Sequence, residues 1–202
     1  MTKRKSNKKK KLHGLQPQKT SFEVDATTVA IYREAVEAFL YDGDEPNIEG
    51  LVTCVAPHDI DDEDKHWTLI LVADLLCQEN HLDGAFRVIS QALRISHDCP
   101  RGREVLAVVL CSRGQYAEAI QVWTELLCTP IRRLAYHSCK MCNVRSIPFA
   151  RHIICNSKFG LSITYWLSGY PALAIHFKRE FIKDLERGIE SPCDPLDLTG
   201  IE

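Results

Sequence analysis

No run of about 18 or more apolar residues, the length that a membrane-spanning helix needs, occurs anywhere in this sequence. The basic stretch at residues 3 to 11 is also not followed by the apolar core of an export signal. These two absences predict a soluble protein that binds no membrane. We expect it in the cytoplasm, or in the nucleus if the cell is eukaryotic.

Enzymatic signatures are absent as well. The sequence has no phosphate-binding GxxxxGK[ST] loop, no dinucleotide-binding GxGxxG turn, no GxSxG nucleophile elbow and no HExxH metalloprotease helix. It therefore predicts a protein that is not an enzyme, with no catalytic residue and no cofactor.

Cysteine is plentiful, with nine residues, but the number is odd and no export signal accompanies it. A framework of disulfides is therefore not expected, and most thiols should be reduced. Cys77, Cys111 and Cys128 fall within helical apolar patterns, where a thiol packs like a small apolar side chain.

The charges are distributed unevenly. The formal net charge is −2, yet residues 3 to 11 carry seven Lys/Arg, whereas residues 42 to 64 carry nine Asp/Glu and no Lys/Arg. A lysine-rich start without periodicity predicts a disordered tail. The tail is either a solvated terminus, a nuclear-import signal, or an arm that contacts nucleic acid or the ribosome by neutralising phosphates.

A helical pattern recurs in the second half of the chain. The stretch from Pro100 to Pro130 predicts two short amphipathic helices joined at Gly114. Ala119 has a counterpart 119 − 85 = 34 residues earlier in Ala85, and another 174 − 119 = 55 residues later in Ala174. Because 55 is 34 + 21, the second and third copies are separated by 21 additional residues.

Gly114 at the turn, Tyr116, Ala119, Trp123 and the closing Pro130 stand at positions typical of the tetratricopeptide repeat (TPR), whose period is about 34 residues. The chain therefore resembles the TPR family, with about three degenerate repeats over residues 66 to 187. The resemblance implies an all-α fold, a right-handed superhelical array of antiparallel helix pairs, or TPR-like α-solenoid.

Two positions depart from the family pattern. Asn80 stands where the turn glycine of the first repeat is expected, and Pro171 begins the second helix of the third repeat. Proline is tolerated there only in the first turn, where no intrahelical donor is lost.

Four parts of the chain are predicted. Residues 1–20 form the disordered basic tail, and residues 21–65 hold N-terminal helices that cap the array and an acidic linker. Residues 66–190 hold the three repeats with an insertion at about 131–151, and residues 191–202 form a C-terminal tail.

The acidic run from Asp61 to Asp64 is predicted to lie at the positive end of the helix that follows. A calcium site is disfavoured, because the run lacks the spaced ligands and central glycine of a calcium loop.

The insertion and the residues after it contain possible zinc ligands, namely Cys139, Cys142, His152 and Cys155. Thiolates and an imidazole are ligands that zinc prefers, and a CxxC pair is the usual half of a site. The stretch around His152 is also consistent with the beginning of a helix and with core packing. Ordinary thiols in a long loop are the favoured interpretation, and zinc is the first alternative. Redox chemistry is the least favoured, because no βαβ strand pattern accompanies the CxxC pair.

The resemblance to TPR proteins assigns a concave groove to the first helix of each repeat. The aromatic members could equally be buried between helices. The residues of this predicted groove are Trp67, Ile70, Asp74, Cys77 and Gln78; Arg101, Glu104, Val108, Cys111 and Ser112; and Asn156, Phe159, Ile163, Trp166 and Leu167.

The expected function is that of a non-enzymatic adaptor or scaffold that binds a protein or peptide partner in this groove. The alternative is an RNA- or ribosome-associated factor that uses its basic tail. The groove lacks the Lys/Asn carboxylate clamp of chaperone-binding family members. Trp67, Arg101 and Trp166 are the first positions to substitute, and Arg101 is expected to be replaceable without loss of folding.

Overall fold

The computed structural model describes residues 26–41, 47–57, 59–136, 147–191, 193 and 198–201. Within these ranges the chain forms nine α-helices and no strand, so the predicted all-α class is confirmed. The helices are α1 (Ala26–Tyr41), α2 (Ile48–Val55), α3 (Asp62–Gln78), α4 (Leu82–Ile95), α5 (Pro100–Ser112), α6 (Tyr116–Cys128), α7 (Ile131–Ala135), α8 (Ile147–Leu167) and α9 (Pro171–Glu186). The predicted basic tail at residues 1–20 lies outside the described residues.

Three helical hairpins form where the recurring pattern lies. The two helices of each hairpin, α3 with α4, α5 with α6, and α8 with α9, pack against each other along their length. Neighbouring hairpins are joined through contacts of α4 with α5 and of α6 with α8. The first helices also meet, because α5 contacts both α3 and α8.

The three hairpin turns have the same backbone geometry. Asn80, Gly114 and Gly169 have positive φ angles of 62°, 76° and 82°. In each turn the amide after this residue donates back to a carbonyl in the first helix, as Gln115 N does to Leu110 O at 2.9 Å. This is the Schellman ending of a helix, which needs a left-handed residue and takes Gly or Asn. Asn80 therefore performs the role of the missing glycine.

The helix starts also follow from the sequence. The Asp61 carboxylate accepts from the amides of Glu63 and Asp64 at 3.0 and 2.9 Å, so the acidic run caps α3. Pro171 lies in the first turn of α9, where its missing N–H costs no helical hydrogen bond.

Small residues lie where helices approach closely. Ala85, Ala119 and Ala174 are each fully buried, at 0% exposure. Gly160 of α8 lies against the indole ring of the buried Trp123 of α6. A Cβ atom on Gly160 would stand less than 3.0 Å from three ring atoms, which leaves no room for a side chain.

Two segments differ from the predicted organisation. The predicted insertion contains helix α7, and α8 already begins at Ile147, before the predicted end of the insertion. Leu198 and Ile201 of the predicted C-terminal tail are buried at 0% and 4% exposure in a cluster with Phe181. The hydrophobic effect accounts for this difference, because these side chains cover an apolar face of α9 that no further helix covers within the described residues.

The N-terminal helices pack onto the first hairpin. Helix α1 contacts α2 and α3, with Val36 at 1% exposure and the Tyr32 hydroxyl 3.3 Å from the Thr68 hydroxyl. No helix within the described ranges combines the length and the apolar character that crossing a bilayer requires.

Candidate functional site: the face formed by α3, α5 and α8

The structure brings predicted groove residues from all three hairpins into contact. Between α3 and α5, the Arg101 guanidinium lies 3.4 Å from the Asp74 carboxylate. Between α5 and α8, the Asn156 amide donates to the Glu104 carboxylate at 2.6 Å. Two further contacts link the same helices, the Cys77 thiol with Ser112 at 3.8 Å and the Thr164 hydroxyl with Cys111 at 3.4 Å. At these contacts, predicted groove residues of α5 therefore face α3 on one side and α8 on the other.

Access to this face increases towards the C-terminal end of each helix. Ile70, Glu104 and Asn156, near the beginning of the stripes, are buried at 2%, 4% and 3% exposure. In this arrangement of the chain other residues cover them, so a partner could not contact them directly. The residues exposed at the other end are Gln78, Val108, Ser112, Trp166 and Leu167.

The three aromatic residues of the predicted groove differ in exposure. Trp67 is half-buried against the main core. Phe159 is half-buried as well, and the centroid of its ring lies 5.2 Å from that of the Phe181 ring in α9. Phe159 and Ile163 both pack against the apolar cluster that contains Phe181. Trp166 is 40% exposed. Of the three, Trp166 is the aromatic side chain most accessible to a partner.

The buried end of the face contains a polar cluster, which consists of Asp74, Arg101, Glu104, Asn156 and His152. Arg101 donates to Glu104 at 2.7 Å and to Asp74 at 3.4 Å. Asn156 Nδ2 donates both to Glu104 and to His152 Nε2, the latter at 3.0 Å. The cluster contains two carboxylates and one guanidinium, so it carries a negative charge in a largely apolar setting.

Burial raises the pKa of Asp74 above its usual value. The Arg101 guanidinium acts in the opposite direction and lowers this pKa, whereas the Glu104 carboxylate raises it further. The net result is that the ionised form of Asp74 is less favourable in the folded chain than in the unfolded one.

We expect Asp74→Asn to raise the free energy of unfolding at neutral pH. The folded state holds the Asp74 proton more tightly than the unfolded state, so the cost of ionised Asp74 is fully present above the folded pKa and vanishes as pH falls below the unfolded value of 3.8. The advantage of the variant should therefore shrink on acidification. Urea unfolding of both proteins between about pH 4 and pH 8 measures this difference.

Asp83→Asn is the matched control, because the Asp83 side chain is 90% exposed and also pairs with an arginine. Its effect on the free energy of unfolding should be small, because exposed ion pairs contribute little to stability. A loss of stability in Asp74→Asn at neutral pH would mean that the pairing with Arg101 outweighs the cost of burial.

The proposed zinc ligands are only partly described. Cys139 and Cys142 lie outside the described residues, and the described ranges hold no group of three or more His, Cys, Asp or Glu side chains that could bind a metal ion. His152 Nδ1 donates to the Glu190 carbonyl at 3.0 Å. Burial raises the pKa of Cys155 to about 12, so in the absence of a bound cation this side chain is a protonated thiol.

The two cysteines of the groove are also unsuited to act as nucleophiles. Burial raises the pKa of both Cys77 and Cys111, against the effect of their hydrogen bonds to Ser112 and Thr164. Both side chains therefore remain protonated thiols at neutral pH.

Sequence reasoning did not identify a cleft that lies near the C-terminal ends of α5 and α8. It has a volume of about 780 Å³ and lies between the α5–α6 turn and the α8–α9 turn. Tyr170 and Leu173, at 58% and 43% exposure, line it together with Ile120. The signal available in the sequence is the run from 159 to 175, which contains no charged residue.

A second cleft, of about 600 Å³, lies between the start of α5, the end of α6 and α7. Its arginines face carboxylates, with Arg103 paired to Glu125 and Arg133 lying 4.0 Å from Asp98. The paired charges leave no net charge on these four side chains to attract an ionic ligand.

The residues that cover the buried end of the face were also missed. The Ser191 hydroxyl donates to Asn156 Oδ1 at 2.7 Å, and the Cys193 thiol lies 3.8 Å from the same oxygen. Both belong to the segment predicted as a tail, and no periodic pattern there could have indicated the contact.

No protein-family model, no curated protein and no solved structure matches this chain.

Proposed function

We propose that this protein is a non-enzymatic adaptor that binds a protein or peptide partner on the face formed by α3, α5 and α8. In this proposal the three hairpins form a TPR-like, right-handed superhelical array, and the face is its concave surface. The observation that carries the proposal is the contact between predicted groove residues of three separate hairpins, Asp74, Arg101, Glu104 and Asn156.

The exposure of the face supports the same conclusion. Protein interfaces combine an apolar centre with a polar rim, and a few anchor residues carry most of the affinity. Val108, Trp166 and Leu167 are apolar and 39%, 40% and 52% exposed, with the polar Gln78 and Ser112 at the corresponding ends of α3 and α5. The cleft lined by Tyr170 and Leu173 also includes Tyr165, which precedes Trp166 in α8.

Trp166→Ala is expected to weaken partner binding by about tenfold or more, because tryptophan is over-represented among dominant interface residues. The partner is first isolated by affinity purification and mass spectrometry, and its affinity is then measured by calorimetry. Since Trp166 is 40% exposed, the variant should remain folded.

Tyr136→Ala is the matched control, because Tyr136 is an aromatic residue of 59% exposure that lies at the end of α7, outside the face. It should leave the affinity unchanged. Equal affinity of wild type and a folded Trp166→Ala variant would contradict binding at the exposed end of this face.

The second candidate is an RNA- or ribosome-associated factor. It is favoured by the charge distribution, because residues 3 to 11 contribute +7 and the rest of the chain 18 − 27 = −9. Phosphate binding by such a tail weakens steeply with salt. RNA affinity that falls with salt and is lost when residues 1–20 are deleted would support this candidate. Partner binding that resists salt and nuclease would support the adaptor.

A further inference from the structure

The chain itself covers the buried end of the face. After the turn at Gly188, the segment that we call the strap (residues 189–191, 193 and 198–201) returns along α8 and α9. Leu198 and Ile201 anchor one part of it in the apolar cluster of α9, and Lys178 donates to the Ile201 carbonyl at 2.7 Å. Glu190, Ser191 and Cys193 form the other part, which lies on His152 and Asn156.

The contacts of this second part are those that an extended peptide makes with a receptor. His152 Nδ1 donates to the main-chain carbonyl of Glu190 at 3.0 Å, and Asn156 Oδ1 accepts from the Ser191 hydroxyl at 2.7 Å. The two receptor residues are four apart on α8, which places their Cβ atoms about 5–6 Å from each other. At this separation His152 can bind the main-chain carbonyl of one peptide residue while Asn156 binds the side chain of the next.

Every polar atom in this contact has a defined role. The Ser191 hydroxyl accepts from the Cys193 amide at 3.1 Å, and it is the donor to Asn156 because the amide oxygen of Asn156 can only accept. Asn156 in turn gives its two N–H groups to His152 and Glu104. The hydrogen bonds thus run from the strap through Asn156 and Glu104 to Arg101, at the beginning of α5.

We propose that His152 and Asn156 form a peptide-binding subsite, specific for a main-chain carbonyl followed by a Ser or Thr hydroxyl, which the chain's own Glu190 and Ser191 occupy. This inference rests on the proposed function, since it describes one end of the same face. A partner peptide of this chemistry displaces the strap, which swings about Gly188. Gly188 has a φ of 77°, and apart from its two chain neighbours no residue has an atom within 4 Å of where its Cβ would stand.

The strap itself supplies the probe for a test. A fluorescent synthetic peptide of residues 187–202, carrying Cys193→Ser to prevent disulfide formation, is titrated against three full-length proteins, the wild type, Ser191→Ala and Ser168→Ala. The Ser191→Ala protein has a weakened strap and should bind the peptide about three- to tenfold more tightly than the wild type, the value of one hydrogen bond. Ser168→Ala removes a hydroxyl that bonds to the Tyr165 carbonyl outside the strap, and should bind like the wild type.

The peptide sequence is varied in the same assay. Ser191→Ala in the peptide should weaken its binding by about three- to tenfold, and Ser191→Thr should restore it. A phosphoserine at position 191 should bind more weakly still, because it loses the donor and places negative charge beside Glu104.

A direct measure of strap release comes from alkylation of Cys193, followed residue by residue with mass spectrometry. The peptide should accelerate alkylation of Cys193 and leave the exposed Cys54 and Cys128 unaffected.

Absence of peptide binding to the folded Ser191→Ala protein, or equal binding of the Ser and Ala peptides, would overturn the subsite. If the isolated partner depends on Trp166 but does not compete with the peptide, the adaptor function stands and this inference is wrong.

Discussion

Replacing Gly160 with alanine is expected to lower the free energy of unfolding by about 3 kcal/mol, at the upper end of the usual cost of overpacking. The new methyl group would stand less than 3.0 Å from three atoms of the Trp123 ring. This ring is rigid and only 3% exposed, so the clash is relieved only if α6 and α8 separate or the ring leaves its rotamer.

Helix propensity acts in the opposite direction. Alanine in a helix interior is favoured over glycine by about 1 kcal/mol, so a neutral site would be stabilised by the same substitution. Gly102→Ala in α5 provides this comparison, because its tightest contact would be with the flexible end of Leu93, at 3.0 Å, and its contacts with Ile70 and Cys99, at 3.4 and 3.7 Å, are ordinary van der Waals distances. Urea unfolding monitored by circular dichroism measures both variants, and Gly102→Ala should be close to neutral or stabilising.

A double variant tests the cause of the Gly160 effect. Trp123→Leu destabilises the protein by itself, because it leaves a cavity, but it also makes room for the alanine. Gly160→Ala combined with Trp123→Leu should therefore cost less than the sum of the two single variants. Additive costs, or a Gly160→Ala variant as stable as the wild type, would mean that α6 and α8 do not meet at this point.

Arg101→Ala is expected to destabilise the protein by about 3 kcal/mol, at the lower end of the cost of breaking a buried ion pair. This result would reverse the expectation from sequence that Arg101 can be replaced without loss of folding. The Arg101 side chain is 32% exposed, but it contacts the Glu104 carboxylate, whose side chain is 5% exposed, at 2.7 Å. Removing the guanidinium leaves the charges of Glu104 and Asp74 without this partner in a poorly solvated site.

Neutralising the carboxylate should restore much of the loss. Arg101→Ala combined with Glu104→Gln removes the buried charge, while the carbonyl of the introduced amide can still accept from Asn156. This double variant should therefore be more stable than Arg101→Ala alone. Thermal unfolding of the wild type, the two single variants and the double variant provides the measurement.

An Arg101→Ala variant with unchanged stability would show that water solvates Glu104 once the guanidinium is absent. Arg101→Ala is consequently a poor first choice for testing partner binding.

The sequence was sufficient to predict the helical hairpins and their period. Local features determine both, because apolar residues at the 3.6-residue helical spacing mark each helix, Ala85 and Ala119 recur 34 residues apart, and the turns need Asn80 and Gly114. The stripe on each first helix was predicted from the resemblance to TPR proteins. That is why the contact between Glu104 and Asn156, which are 52 positions apart, involves two predicted groove residues.

The depth of each position could not be predicted in this way. Periodicity shows which face of a helix a residue occupies, but exposure depends on what distant segments place above it. Asn156 is buried because Ser191, 35 positions later, lies on it. The contact of Gly160 with Trp123 likewise depends on how α8 docks on α6, and no local pattern contains that information.

The order in which the helices pack follows their order along the chain. Each hairpin forms from helices joined by a short turn, and α4 with α5 and α6 with α8 extend the packing to the next hairpin. The entropy lost in closing a loop grows with its length, so contacts between neighbours in sequence form at low entropic cost. Chains dominated by such local contacts fold in about microseconds to milliseconds, far faster than sheets whose strands must find distant partners. This architecture therefore favours rapid folding from any one hairpin outwards, with little time spent exposing the apolar surfaces that cause aggregation.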